Sequence, residues 1–196
     1  MANVQSIRNK TDEIEALSKK HNIDILCLTE TWTTEKDKDC DVTIPGFFVV
    51  IRFDKNTETG IGGGNLILAR EGTKIIGTNN IHNLNNGSYM QATESELIGQ
   101  HFKISIINIY RSPAKATEEK SIEAITRIIE NAKSNTILMG DINLPEIDFI
   151  SLQTKPYPGT TLARSARLLD AWRLKGFEQM IQTPTRFHAI EKMQSG

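Results

Sequence analysis

Hydrophobic residues fall into helical and strand-like rhythms along the chain. Over residues 9–21 the apolar positions Ile14 and Leu17 stand three apart among Asp12, Glu13, Lys19 and Lys20, the spacing of a short helix that buries one stripe. Asn22 then offers a left-handed stop. Residues 23–28 are apolar at almost every position and too few for a free-standing helix, which predicts a strand covered on both faces. Strand-like runs recur at 47–51, 65–69, 74–76, 96–98, 103–109 and 136–139, with Gly, Pro, Asn or Asp between most of them. A second helix is predicted from about Thr117 to Lys133, with Thr117 as N-cap, Glu118 and Glu119 at its dipole-positive start, and Ile122, Ile125, Ile128 and Ile129 on its buried face. A third covers 162–175, closes at Gly176 and displays Arg164, Arg167 and Arg173.

This order, about seven strands and three helices mixing hairpins with crossovers, predicts an α/β fold of mixed α+β character. The expected architecture is a four-layer sandwich of two packed mixed β-sheets flanked by helices, rather than a doubly wound sheet or a pure barrel. No internal repeat is apparent. The 196 residues, without an internal linker, suit a single domain.

Composition narrows the class. With 38% hydrophobic and 24% charged residues the balance is that of a globular chain, not a fibrous or disordered one. No apolar run approaches the roughly 18 residues of a membrane span, and Met1 to Ser6 shows no basic stretch leading into a signal core. The expectation is an intracellular protein, nuclear or cytoplasmic, that is neither secreted nor membrane-bound. The two cysteines, Cys27 in an apolar run and Cys40 in an acidic one, form neither a disulfide framework nor a zinc spacing. The net charge of −1 hides an asymmetry, because residues 151–196 hold seven basic and three acidic side chains. A basic final quarter fits a nucleic-acid partner, and equally a solvated helical face.

Three segments could carry chemistry. Leu28-Thr29-Glu30-Thr31-Trp32 places a carboxylate at the C-terminal end of a buried strand, where α/β folds collect ligands. Glu30 there is either a ligand for a hard cation such as Mg²⁺ or a surface or capping residue. Gly140-Asp141-Ile142-Asn143 follows an apolar strand: glycine allows close backbone approach, and an extended chain would aim Asp141 and Asn143 to the same side. An acid and an amide so placed suit phosphoryl chemistry, and they equally suit an Asx turn. Asn108-Ile109-Tyr110-Arg111-Ser112-Pro113 brings a phenol and a guanidinium to a strand end, where Tyr110 could bind a phosphate or serve as a half-buried anchor and Arg111 could add charge. Gly62-Gly63-Gly64 lacks the residues of a phosphate-binding loop and reads as hairpin geometry. His21, His82, His101 and His188 share no ligand spacing.

Taken in order, these segments resemble the endonuclease/exonuclease/phosphatase superfamily, and more closely the apurinic-type endonuclease domain at the front of non-LTR retrotransposon polyproteins. Residues 3–10 are similar to its opening asparagine motif, 28–32 to its metal-binding glutamate motif, and Ile44-Pro45-Gly46-Phe47 with Gly62-Gly63-Gly64 to the retroelement hairpin. Residues 108–113 resemble the tyrosine motif and 140–143 the Gly-Asp-x-Asn motif. Leu168-Leu169-Asp170, Gly176-Phe177-Glu178-Gln179 and Gln182-Thr183-Pro184-Thr185-Arg186 resemble the retroelement tail.

The resemblance implies an Mg²⁺-dependent (Mn²⁺ possible) DNA endonuclease that nicks target DNA for a reverse transcriptase expected downstream in the same polyprotein. Carried over motif by motif, Glu30 and Asn3 would serve the metal, Tyr110 and Asn143 would hold the scissile phosphate, and Asp141 would handle a proton. The family continues with a further Asp and a closing Ser-Asp-His, and a first central strand precedes its asparagine motif. Residues 187–196 contain neither closing element, and only two residues precede Asn3. The expectation is therefore one partial domain over 1–196, incomplete at both termini, as a fragment or a decayed copy, with weak or absent nicking for want of the Asp-His pair. The alternatives are a phosphatase or phosphodiesterase of the same superfamily acting on a small substrate, and a non-catalytic nucleic-acid-binding remnant.

Overall fold

The computed structural model describes residues 1–55, 62–81, 90–112, 118–156 and 162–181. The chain runs β1 (Ala2–Asn3), α1 (Thr11–Lys20), β2 (Ile25–Thr29), β3 (Phe47–Phe53), β4 (Asn65–Arg70), β5 (Ile75–Asn79), β6 (Met90–Ile98), β7 (Lys103–Arg111), α2 (Glu118–Asn131), β8 (Thr136–Asp141), β9 (Ile147–Asp148), β10 (Gln153–Thr154) and α3 (Leu162–Leu174). One sheet has the order β1-β2-β4-β3 and the other β5-β6-β7-β8, while β9 and β10 form a small separate ribbon. Each large sheet is mixed, with one parallel pair: β1 beside β2, and β7 beside β8.

Three apolar clusters show the layering. Leu26, Leu28, Leu66 and Leu68 of the first sheet pack with Ile14 of α1, Ile7 and Ile44. Met90, Ala92, Ile107 and Ile109 of the second pack with Ile122, Ile125 and Ile129 of α2 and Leu168, Leu169 and Trp172 of α3. Between the sheets lie Cys27, Ile67, Leu97 and Ile106. Helix, sheet, sheet and helices thus form the four layers expected from the order of elements. Burial pushes the Cys27 thiol up to about 12, so this cysteine is an inert core residue.

Toward the end of the sandwich where β2, β7 and β8 finish, the space between the sheets turns polar. Asn65 of β4 donates Nδ2 to the Asn108 carbonyl of β7 at 2.8 Å, and Asn108 donates Nδ2 to the Leu28 carbonyl of β2 at 3.2 Å. Thr93 of β6 donates to Asn65 Oδ1 at 3.3 Å. All three side chains are fully buried. Through their bonded groups these side chains tie the facing strands of the two sheets to each other just behind the strand ends.

Local chemistry explains where α1 and α3 stop. Asn22 takes φ +49 after α1, and Gly176 takes φ +68 just beyond α3, the left-handed stops that their types allow. Two expectations are corrected. Leu17 of α1 is 47% exposed and Ser18 is buried in its place, with its hydroxyl donated to the Glu15 carbonyl at 2.8 Å, so the helix is rotated from the stripe its apolar spacing suggests. Strand β6 begins at Met90, not near Glu96, because its inward-facing side chains Gln91, Thr93 and Ser95 are polar and mask the alternation. Thr117 and the segment 182–186 lie outside the described residues.

Candidate active site

Strand pairing brings four distant side chains together. In the parallel β1–β2 pair Asn3 stands opposite Thr29, one residue before Glu30. In the parallel β7–β8 pair Tyr110 stands opposite Asp141. The Tyr110 hydroxyl donates to Glu30 Oε1 across the two sheets. Asn3 donates Nδ2 to Asp141 Oδ2 at 2.9 Å, again across the two sheets. Asn3, Glu30, Tyr110 and Asp141 therefore form one constellation at one end of the sandwich.

Glu30 is held on both oxygens. Oε2 accepts from the Trp32 indole Nε1 at 2.7 Å and from the Gly63 backbone N–H at 2.9 Å, while Oε1 accepts from Tyr110. The Gly62–Gly64 turn lies flush against the glutamate segment: Trp32 N–H donates to the Gly63 carbonyl at 2.9 Å and Thr31 N–H to the Gly64 carbonyl at 3.3 Å. This turn and Trp32 are the site components that sequence reasoning missed. The triple glycine was visible but pointed only to a hairpin, because nothing in the sequence says that one of its amides faces a carboxylate.

Glu30 and Trp32 adopt φ +56 and +57, and Asn143 adopts φ +45. Left-handed backbone at non-glycine residues costs on the order of 1 kcal/mol each and collects where the surroundings must hold a side chain in one place. The Tyr110 hydroxyl is pushed upward by burial first, then by its hydrogen bond to Glu30 and the charges of Glu30 and Asp141, against a smaller opposing contribution from Ser112. It therefore remains a protonated donor through the neutral range.

Asn143 is placed differently from the extended-chain expectation. Strand β8 ends at Asp141, and the left-handed Asn143 turns toward β7, where its Nδ2 donates to the Arg111 carbonyl at 2.7 Å. Arg111 returns a bond from its guanidinium to the Asn143 carbonyl at 2.7 Å and donates Nε to Ser121 of α2 at 2.8 Å. With 4% exposure, Arg111 is a buried brace for the 142–144 loop, not the freely available charge that its strand-end position suggested. The bonds shown for Asn143 run to Arg111, beside Tyr110 on the same strand.

The donor set suits a hard cation. Among the described residues no group of three or more His, Cys, Asp or Glu side chains converges, so no closed transition-metal cage is formed. Mg²⁺ needs less: one or two carboxylates, with water in the remaining positions. Glu30 supplies a carboxylate whose Oε1 takes one donor and can accept another, with Asp141 and the Asn3 amide adjacent.

Similarity to known proteins agrees with this architecture. The chain shares its fold with several solved structures and matches one family model over part of its length. Over residues 104–194 it matches the family described as endonuclease-reverse transcriptase. Among solved structures it resembles the endonuclease domain of TRAS1, a telomere-specific non-LTR retrotransposon, with TM-score 0.57, 15% identity and coverage of 89% of this chain and 68% of that one. An AP endonuclease from Archaeoglobus fulgidus matches with TM-score 0.58, 15% identity and coverage of 89% and 69%. The 3′ phosphatase NExo from Neisseria, bound to product DNA hairpin, matches with TM-score 0.63, 17% identity and coverage of 86% and 68%. The chain spans 61% of the length of a humanized D. rerio TDP2, which it also resembles. No curated protein matches it significantly. Among the described residues no helix is long and apolar enough to cross a membrane.

Proposed function

We propose that this chain belongs to the nuclease part of a non-LTR retroelement and that its site hydrolyses phosphodiesters in DNA with Mg²⁺, or Mn²⁺ in its place. The observation that carries the reading is the meeting of Glu30 and Tyr110 from opposite sheets beside the Asn3–Asp141 pair. The partners are then target DNA and a reverse transcriptase on the same polyprotein, a reading that rests on the description of the family matched by residues 104–194.

In this reading Glu30 and Asn3 hold the metal. A divalent cation bound there would offset charge that builds on phosphate oxygens during in-line displacement. Tyr110, neutral because burial and Glu30 hold its proton, would turn its single hydroxyl hydrogen from Glu30 to a phosphate oxygen when a cation occupies Oε1, and adds no repulsion there. Asn3 fixes the direction of the Asp141 carboxylate, which handles a proton close to the nucleophile or the leaving oxygen. Asn143, tethered by Arg111, presents its remaining amide hydrogen to the same phosphate. The same donors would serve a phosphomonoester, so the choice between nuclease and phosphatase rests on the retroelement family match.

The test is Mg²⁺-dependent conversion of supercoiled plasmid to the nicked circle, which registers one cut per molecule and so detects slow enzymes. We expect nicking by the parent chain to stop with chelator and to fall on the order of a hundredfold or more in Glu30→Ala and Asp141→Asn. Equal nicking by parent and Glu30→Ala would overturn the assignment. Phosphate release from small monoesters with no nicking would select the phosphatase, and salt-sensitive DNA binding with no metal-stimulated cleavage would select a binding role.

A further inference from the structure

We propose that Gln91 is a positioning residue for Glu30, acting through the Gly62–Gly64 turn; the inference deepens the site described above and rests on Glu30 being its metal-binding carboxylate. Gln91 lies on β6 directly opposite Tyr110 of β7 and is 7% exposed. Both ends of its amide are used. Oε1 accepts from the Gly64 backbone N–H at 2.7 Å, and Nε2 donates to the Asp54 backbone carbonyl at 2.9 Å. Asp54 follows β3 and Gly64 precedes β4, so one buried side chain of the second sheet clips both ends of a connection belonging to the first.

That clip lies next to the grip on Glu30. Gly63, the neighbour of Gly64, donates to Glu30 Oε2, and Tyr110, the cross-strand neighbour of Gln91, donates to Glu30 Oε1. The carboxylate is thus stretched between a donor on each sheet, and Gln91 sets the separation of those two donors. The turn has no slack to compensate. Gly64 adopts φ +93, and a Cβ there would collide with the Thr31 hydroxyl and meet the Trp32 amide, so its backbone is seated directly on the glutamate segment. A shift of the turn must move Gly63 N–H, Trp32 and Glu30 together. A buried amide that merely filled space would be replaceable by an apolar side chain of the same volume; one that fixes two backbone groups is not.

The two tryptophans allow a test that needs no turnover. The Trp32 indole N–H is bonded to Glu30, whereas the Trp172 indole nitrogen is buried without a partner, and the two give separate ¹H–¹⁵N signals. In the metal-free protein, Gln91→Met should move the Trp32 indole signal toward the position of an unbonded indole and leave that of Trp172 in place. Broadening of the Trp32 signal by Mn²⁺ should then need roughly tenfold more metal than in the parent, the usual scale for losing a residue that orients a ligand. Gln91→Asn, which keeps the amide but is one methylene too short to reach both partners, should shift the same signal and is the variant read if Gln91→Met does not fold. A folded Gln91→Met or Gln91→Asn protein with an unmoved Trp32 signal would overturn the proposal. Absence of Mn²⁺ broadening at Trp32 in the parent would instead sink the metal reading, while the metal-free shift still judges Gln91.

Discussion

Asn3 and Asp141, 138 positions apart, are joined by a 2.9 Å hydrogen bond that ties the start of one sheet to the end of the other. The bond exists because β1 is parallel to β2 and β8 is parallel to β7, which brings Asn3 and Asp141 to the same end of the sandwich as Glu30 and Tyr110. A carboxylate fixed by a neutral amide keeps its orientation without losing its charge. Asn3→Ala should therefore leave the fold intact, since Asn3 is exposed, and reduce Mg²⁺-dependent nicking roughly 10- to 100-fold. The check is a single-turnover nicking rate beside a thermal melt; an unaltered rate in Asn3→Ala would remove Asn3 from the site.

Gly140 makes the close approach of β8 to β7 possible. It adopts φ +142, and a Cβ on it would overlap the Ile109 carbonyl oxygen, a backbone atom that cannot step aside. Gly140→Ala should cost about 3 kcal/mol or more of stability, at the large end for single substitutions. Urea unfolding of the two proteins measures this. Because Asp141 follows directly, the variant should lose nicking even at temperatures where it stays folded.

The sequence carried the architecture well and the site only in part, for physical reasons that differ by residue. Ile125 and Ile129 of α2, or Leu66 and Leu68 of β4, announce their burial by type and spacing, because apolar side chains have one place to go. Glu30, Tyr110 and Asp141 were visible as polar residues ending apolar strands. Their convergence is a property of strand order, which no local pattern encodes. Gln91 and Gly63 were invisible as site components, since one looks like any polar strand residue and the other acts through its backbone. Arg111 at its strand end reads as a group that could add charge, whereas its bonds to Ser121 and to the Asn143 carbonyl make it a brace for the 142–144 loop, a role that only the folded chain reveals.

Asp37 ties the stretch after the glutamate motif to the segment after β1. Burial opposes its ionisation, but hydrogen bonds from the Arg8 guanidinium and from the Thr34 backbone and hydroxyl outweigh it and hold the carboxyl down at about 2. A carboxyl depressed in the folded state contributes stability that is present above its unfolded value, near 3.9, and is lost as pH falls through about 2. The parent should accordingly lose stability between about pH 4 and pH 2 more steeply than Asp37→Asn, and the two should run parallel above about pH 5. Denaturant midpoints collected across that range decide it, with identical acid limbs counting against the Arg8–Asp37 link.

Tyr110 provides a sharper pH signature because its shift has the opposite sense. Burial, the hydrogen bond to Glu30 and the nearby carboxylate charges all raise its value, so the folded state retains the proton where an unfolded chain would lose it near pH 10. Stability from this group is fully present below about pH 10 and is lost only as pH rises toward the folded value. Absorbance near 295 nm should show Tyr110 keeping its proton above the ordinary tyrosine range in the folded protein. Tyr110→Phe should remove that late-titrating component and lower the nicking rate on the order of a hundredfold. The same substitution frees Glu30 Oε1 of its donor while the grip of Trp32 and Gly63 on Oε2 remains. Metal binding in Tyr110→Phe should therefore persist although turnover falls, separating a phosphate contact from a metal-site defect. A Tyr110 that ionised near pH 10 would mean that its bond to Glu30 does not form in solution.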